Sequence, residues 1–244
     1  MPCAIEDIPS TAEAAKLKTF APKLIIFDCD GVLVDSEVIS ANVLIDALAS
    51  IGVVVDFAHV QAHFLGRSWV TVAAEIRSTH GYLPGNDFEE MYRSELLKRF
   101  ERELVPTQGV VTLLQALTVG ACVATSSTPK RVNRSLELTG LSEFFGADVF
   151  TASEVERGKP APDLFLHTAS RMQVALSQCL VIEDSVPGIQ AAINAGMPVV
   201  RFTGGSHLQG LSDNVLTMDG QVRCFDKWQH FSEMVPHATS RTNR

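Results

Sequence analysis

The chain is predicted to fold as an α/β protein, a doubly wound parallel sheet with a small helical domain inserted after the first strand. Three observations predict it. Short, unbroken apolar runs rich in β-branched residues recur along the sequence, as expected of strands buried on both faces. From residue 106 onward these runs alternate with amphipathic helical segments, the rhythm of strand–helix–strand units. Between the first run and the second, residues 36–105 carry helical periodicity and no strand pattern.

Residues 1–22 form an extension of small and polar residues ending at Pro22, with a loose helix expected over Thr11–Lys18 and no chemistry in it. The first strand is Leu24–Phe27. It runs into Asp28 and Asp30, one residue apart, and then the turn residue Gly31. From Ser36 to Ile51 the apolar residues Val38, Ile39, Val43, Leu44, Ala47, Leu48 and Ile51 recur at helical spacing. Gly52 ends that helix at a position where a left-handed backbone is expected. Further amphipathic periods cover Val60–Phe64, Val70–His80 and Phe88–Arg102, joined by Leu65–Ser68 and Gly81–Asn86.

Pro106 and Gly109 mark the return to the sheet. Helix Val110–Leu117 leads to strand Ala121–Thr125 and the turn Ser126–Pro129. Helix Lys130–Leu138 leads to strand Asp148–Thr151 and a loop over Glu154–Pro160. Helix Pro162–Met172 leads to strand Cys179–Ile182, followed by Glu183 and Asp184. Helix Pro187–Ala195, closed by Gly196, leads to strand Val199–Phe202. From His230 the sequence reads as a frayed tail. The expected division is therefore an extension (1–22), a core (23–35 with 106–229), a helical insert (36–105) and a C-terminal tail (230–244).

The formal net charge of −8 over 244 residues, with no run of Lys or Arg, argues against a nucleic-acid surface. It leaves room for a small anionic ligand, because a local cation can outweigh the global field. The cysteines Cys3, Cys29, Cys122, Cys179 and Cys224 are scattered with no Cys-x-x-Cys pair, so no zinc site is expected. No apolar run approaches membrane-spanning length, and the first residues lack a basic start and apolar core. The expectation is a reduced, cytoplasmic protein with no membrane partner, a monomer or small homo-oligomer.

Parallel strands bring their C-terminal ends to one edge of the sheet, where ligands bind. That edge would hold Asp28 and Asp30, then Ser126 and Ser127, then Lys159 from the following loop, then Glu183 and Asp184. Each has a plain alternative. Ser126 could cap a helix, Lys159 could be an exposed loop lysine, and Asp184 could cap the helix near Pro187. Four carboxylates gathered without a cation would cost more than they contribute. A hard divalent cation such as Mg2+, which takes one or two carboxylates plus phosphate oxygens and water, accounts for the set.

The segments Asp28-Cys29-Asp30-Gly31-Val32-Leu33-Val34-Asp35-Ser36-Glu37, Ala124-Thr125-Ser126-Ser127, Gly158-Lys159-Pro160-Ala161-Pro162-Asp163 and Val181-Ile182-Glu183-Asp184-Ser185-Val186-Pro187-Gly188 resemble the four motifs of the haloacid dehalogenase superfamily, in its usual order. The likeness runs from about Leu24 to Phe202 and extends to a helical cap on a Rossmann-like core. Within the superfamily it is greatest to the β-phosphoglucomutase-like group of sugar-phosphate phosphatases. The resemblance implies a Mg2+-dependent phosphatase acting on a small phosphorylated metabolite (sugar, sugar-acid or polyol phosphate) through an aspartyl-phosphate. Asp28 would be the nucleophile and Asp30 the general acid and base. The metal would lie on Asp28, the Asp30 carbonyl and Asp184, with Glu183 direct or through water. Ser126, Lys159 and amides near Gly31 and Ser127 would hold the phosphoryl oxygens.

Substrate choice would fall to the cap, with Arg67 in its Gly66–Ser68 loop singled out. A solvated surface arginine is the alternative. Ser36 and Ser40 stand where β-phosphoglucomutases carry Thr and His, and Trp69 follows Ser68 where they carry Arg, so a phosphomutase is the second choice. A phosphonate hydrolase would need a cap lysine, and the cap offers only Lys98. A non-catalytic phosphometabolite-binding module would have no need of both Asp28 and Asp30.

Overall fold

The computed structural model describes residues 17–211 and 222–239. The expected helix over Thr11–Lys18 therefore lies, apart from its last two residues, outside the described residues. Six strands form one sheet in the order β3-β2-β1-β4-β5-β6, and every pairing is parallel. β1 (Leu24–Phe27) lies in the middle, followed in the chain by β2 (Gly120–Thr125), β3 (Val149–Thr151), β4 (Cys179–Glu183), β5 (Val199–Phe202) and β6 (Arg223–Phe225). The strand order reverses between β1 and β4. In open parallel sheets that reversal opens a crevice at the strands' C-terminal ends.

β1 shows why the sheet is covered on both faces. Its four residues are fully buried, and side chains alternate across a strand. Ile25 and Phe27 enter one apolar cluster, Leu24 and Ile26 the other. Each such side chain contributes roughly 1.5–3 kcal/mol on burial. Register then fixes the edge: Phe27 pairs with Val123 of β2 and Ile182 of β4. Asp28, the next residue, thus emerges beside the ends of both neighbours.

Between β1 and β2 the chain forms α1 (Glu37–Ser50), α2 (Phe57–His63), α3 (Trp69–His80) and α4 (Asn86–Glu103). Asp56 and Ser68 cap α2 and α3 by accepting from the amides of His59 and Thr71. Along α4, Phe88, Tyr92, Leu96 and Phe100 recur every four residues and are buried, and the helix packs on α1. The segments entering and leaving this insert are tied together, Asp35 N to Val105 O at 3.0 Å and Thr107 N to Leu33 O at 2.9 Å. Around the sheet follow α5 (Val110–Ala116), α6 (Pro129–Leu138), the short α7 (Ser142–Phe145), α8 (Asp163–Arg171) and α9 (Val186–Asn194).

The end of the chain corrects the sequence reading. Residues expected to fray from His230 instead form most of α10 (Trp228–Met234) and all of α11 (Pro236–Thr239). Trp228, Phe231, Met234, Val235 and Ala238 are buried in the cluster under β1. Trp228 stacks on Phe202 with ring centroids 4.5 Å apart, and its Nε1 donates to Thr107 Oγ1 at 3.1 Å. Thr107 Oγ1 in turn donates to the carbonyl of Val32 at 2.6 Å. The helix that starts at Trp228 thus braces the loop that carries Asp28 and Asp30.

Candidate active site

Asp28 leaves β1 nearly buried, with its amide donating to Ile182 O at 2.9 Å. Lys159 arrives from the loop after β3 and is 1% exposed. Its ammonium donates to Asp28 Oδ1 at 2.5 Å, to Glu183 Oε1 at 2.6 Å and to the carbonyl of Ala124 at 3.0 Å. One buried cation therefore ties together the ends of β1, β2 and β4. The other oxygen of Glu183 accepts from the amides of Asp184 and Ser185 and from Ser185 Oγ, each at 2.9 Å. Gly188, in the first turn of α9, makes room for this carboxylate. A Cβ there would stand 1.7 Å from Glu183 Oε1.

Asp30 is held differently. Ser36 Oγ donates to its Oδ1 at 2.6 Å, Ser127 Oγ to its Oδ2 at 2.5 Å, and Arg131 Nη2 to Oδ1 at 2.6 Å. Burial pushes the Asp30 carboxyl up, but Arg131, Ser127 and Ser36 outweigh it and hold it below the ordinary carboxylate range. Asp28 goes the other way. Burial and the nearby Glu183 and Asp184 charges raise it despite Lys159. Burial and Glu183 likewise raise Asp184. Two carboxylates separated by one residue are thus driven in opposite directions by their surroundings.

A cavity over these residues is lined on the insert's side by Ser40, Leu44, Phe64, Leu65, Gly66, Arg67, Trp69, Val72, Tyr92 and Arg93. Trp69 stacks on Tyr92 with centroids 5.5 Å apart and makes one wall. Gly66 sits so close to Ser185 that a Cβ would come within 2.8 Å of its side chain.

Residues 22–196 match the family model of the haloacid dehalogenase-like hydrolases. The chain belongs to that family. It is 32% identical to 6-phosphogluconate phosphatase of Escherichia coli K12, over 75% of this chain and 83% of that one. It is 34% identical to fructose-1-phosphate phosphatase YqaB of the same organism, over 72% of this chain and 94% of that one. Among solved structures, a haloacid dehalogenase-like protein of unknown function from Agrobacterium tumefaciens C58 aligns with a TM-score of 0.75 and 33% identity, covering 88% of this chain and 97% of that chain. This haloacid dehalogenase-like hydrolase is a phosphatase.

Every site residue expected from the sequence lines the cavity except Gly31. Gly31 has φ +77°, and a Cβ there would stand 2.1 Å from Asp184 Oδ2, so glycine is required. Its amide, however, donates to Val34 O at 2.8 Å and closes the turn, so it is not turned toward a phosphate. The Ser127 amide is likewise engaged, by Thr125 Oγ1 at 3.1 Å, and its hydroxyl serves Asp30. Ser126 and Arg67 line the cavity, Arg67 from an exposed position at its rim. Lys98 pairs with Glu95 at 3.2 Å on the outer face of α4. Burial, then Asp30 and Asp28, raise the Cys29 thiol, which removes it as a nucleophile.

Sequence reading missed Arg131, Glu37 and His207 in this phosphatase. Arg131 lies in the first turn of α6, directly after the loop that carries Ser126 and Ser127. Glu37 is buried and lines the cavity. Burial, then Asp30, push its carboxyl up to about 7, against the pull of His207 and Arg131. His207 lies in the loop after β5, and its Nε2 is 2.9 Å from Asp184 Oδ2. The rule that strand ends converge on one edge covers the loop after β5 as well.

The donor set suits a hard cation. Asp28 and Glu183 meet one ammonium with Asp184 beside them, and burial together with the neighbouring negative charge raises Asp28 and Asp184. Glu183 accepts four hydrogen bonds and supports Lys159 and the start of α9. No three His, Cys, Asp or Glu side chains converge as a metal cluster among the described residues. A Mg2+ ion, with its preference for few protein ligands, would draw on Asp28 and Asp184 and on backbone and substrate oxygens. No helix among the described residues is long and apolar enough to cross a membrane.

Proposed function

We propose that this protein hydrolyses a small sugar-derived phosphate monoester through an aspartyl-phosphate on Asp28, with Mg2+ as cofactor and residues 36–105 acting as a cap. The observation that carries the reading is the pairing of Lys159 with Asp28 at 2.5 Å beside an independently held Asp30. Lys159 orients the Asp28 carboxylate and offers charge to the phosphoryl group. Ser126 supplies a further donor. The metal would sit on Asp28, Asp184 and the carbonyl of Asp30, where it supplies charge neutralisation for the phosphoryl oxygens.

An Asp28 oxygen attacks phosphorus as the ester P–O bond breaks. The departing alkoxide takes a proton from Asp30. Water then attacks phosphorus, gives its proton to Asp30, and the Asp28–phosphorus bond breaks to release inorganic phosphate. Because Arg131 and the two serines hold Asp30 as a carboxylate, its first proton must arrive with the substrate, whose monoester phosphate titrates near pH 6.

The relatives named for 6-phosphogluconate and fructose 1-phosphate support a sugar or sugar-acid phosphate. The test is Mg2+-dependent phosphate release over a panel of sugar, sugar-acid and polyol phosphates, with Asp28→Asn and EDTA as controls. Asp28→Asn is expected to fold and to be inert. Activity above about a tenth of wild type, or full activity in chelator, would remove the nucleophile or the metal from the account.

A further inference from the structure

Arg131 belongs to α6 in the core, yet it touches three other parts of the molecule. Its Nη2 donates to Asp30 Oδ1 at 2.6 Å and to Ser40 Oγ of α1 at 3.0 Å. Its guanidinium lies 5.3 Å from the centre of the Phe100 ring of α4. α1 and α4 are the first and last helices of the insert, the two through which it joins the core. A planar guanidinium can serve a carboxylate and a hydroxyl at once and still stack on a ring, which an ammonium cannot. Its Nε is buried with no hydrogen-bond partner among the described residues.

We propose that Arg131 is a positioning residue: it orients the Asp30 carboxylate for proton transfer and makes that orientation depend on the seating of α1 and α4 against the core. Ser36 and Ser127 complete the cradle, but both come from loops flanking the cavity and neither reaches α4. Arg131 alone among these three joins Asp30 to both ends of the insert. A displacement of α4 therefore reaches Asp30 through Phe100 and Arg131, whereas α1 acts through Ser40 and Arg131 and directly through Ser36. The inference rests on the proposed roles of Asp28 and Asp30.

The test uses the full chain with Mg2+, Arg131→Lys and Arg131→Gln, and two substrates. The p-nitrophenolate anion departs without protonation, so p-nitrophenyl phosphate needs Asp30 only to activate water, whereas a sugar phosphate needs it in both steps. With p-nitrophenyl phosphate the variants should release one equivalent of p-nitrophenolate in a burst, then turn over at least about tenfold more slowly than wild type, with KM falling in proportion so that kcat/KM is kept. With a sugar phosphate they should be slow from the first turnover, without a burst. Ser40→Ala and Phe100→Leu, which leave Asp30 untouched, should lower kcat in the same sense without raising KM.

A rise in KM with kcat intact would make Arg131 a substrate-binding residue. Equal loss of burst amplitude and steady rate would make it a merely structural one. Unchanged kinetics would remove it altogether. Asp28→Asn run alongside separates the levels. Activity surviving in it sinks the nucleophile reading, whereas an inert Asp28→Asn beside wild-type-like Arg131 variants sinks only this inference.

Discussion

The ammonium of Lys159 lies 2.5 Å from Oδ1 of Asp28, on a side chain only 1% exposed. Burial lowers the proton affinity of such a lysine, but Asp28 and Glu183 more than offset it and hold the ammonium charged well beyond neutral pH. Removing it strands two carboxylates. Lys159→Met is therefore expected to lose on the order of 3–5 kcal/mol of stability, the cost of breaking a buried pair. It should also lower kcat/KM by at least about a hundredfold, because the same charge would face the transferred phosphoryl group. Denaturant unfolding and steady-state kinetics check both, and a variant as stable as wild type would mean that solvent already screens the pair.

Glu37 gives a pH-dependent prediction for the metal-free protein. Its carboxyl titrates at about 7 in the fold, against about 4.3 in the unfolded chain. Between those values the native state binds more protons than the unfolded state, so stability falls as pH rises through the window and is level above it. The loss amounts to at most on the order of 4 kcal/mol. In chelator, Glu37→Gln should match wild type near pH 4.5 and exceed it near pH 8. Parallel stability curves for the two proteins would show that Glu37 is not the titrating group.

The brace from the C-terminal helix to the catalytic loop can be broken at either hydrogen bond. Trp228→Phe removes the bond from Nε1 to Thr107, and Thr107→Val removes the bonds to both Trp228 and Val32. Each should cost about 1–3 kcal/mol, because a buried polar partner is left unmade. The double variant should cost less than the sum, since both changes delete one shared contact. Additive losses would mean that the two residues act independently.

Arg67 stands at the rim of the cavity on the insert loop that packs against Ser185. If the substrate carries a carboxylate at the end away from phosphorus, Arg67 can take it with two parallel hydrogen bonds. Arg67→Ala should then lower kcat/KM for acid-bearing phosphates by roughly tenfold to a hundredfold, the worth of a charge-assisted contact of about 1.5–3 kcal/mol. Neutral sugar and polyol phosphates should be spared. Equal loss in both groups would assign Arg67 to cap closure, and no loss would leave it a solvated arginine.

The phosphomutase alternative is decided by product. β-Glucose 1-phosphate with a catalytic amount of the bisphosphate should yield inorganic phosphate. Glucose 6-phosphate as the main product would overturn the weight given to Ser36, Ser40 and Trp69.

The sequence by itself determined the strands, the helical insert and the identity of the carboxylates, serine and lysine at the sheet edge. Those signals are local: apolar runs for β1, β2, β4 and β5, four-residue periodicity for α4, and polar residues directly after each strand. β6 has only three residues, and the apolar residues of α10 are separated by polar ones at the end of the chain. Neither has a pattern of its own strong enough to stand without the sheet and the Trp228 pocket. Tertiary structure alone decided what each polar group does. Gly31 and Glu183 were expected to face ligand, yet their hydrogen-bonding capacity is taken up by Val34, Lys159, Asp184 and Ser185. Arg131 and His207 become site residues because folding brings them onto Asp30 and Asp184 across 101 and 23 positions of the chain. Periodicity records which face of an element is buried, whereas a side chain's partner depends on distances between elements that no single stretch of sequence contains.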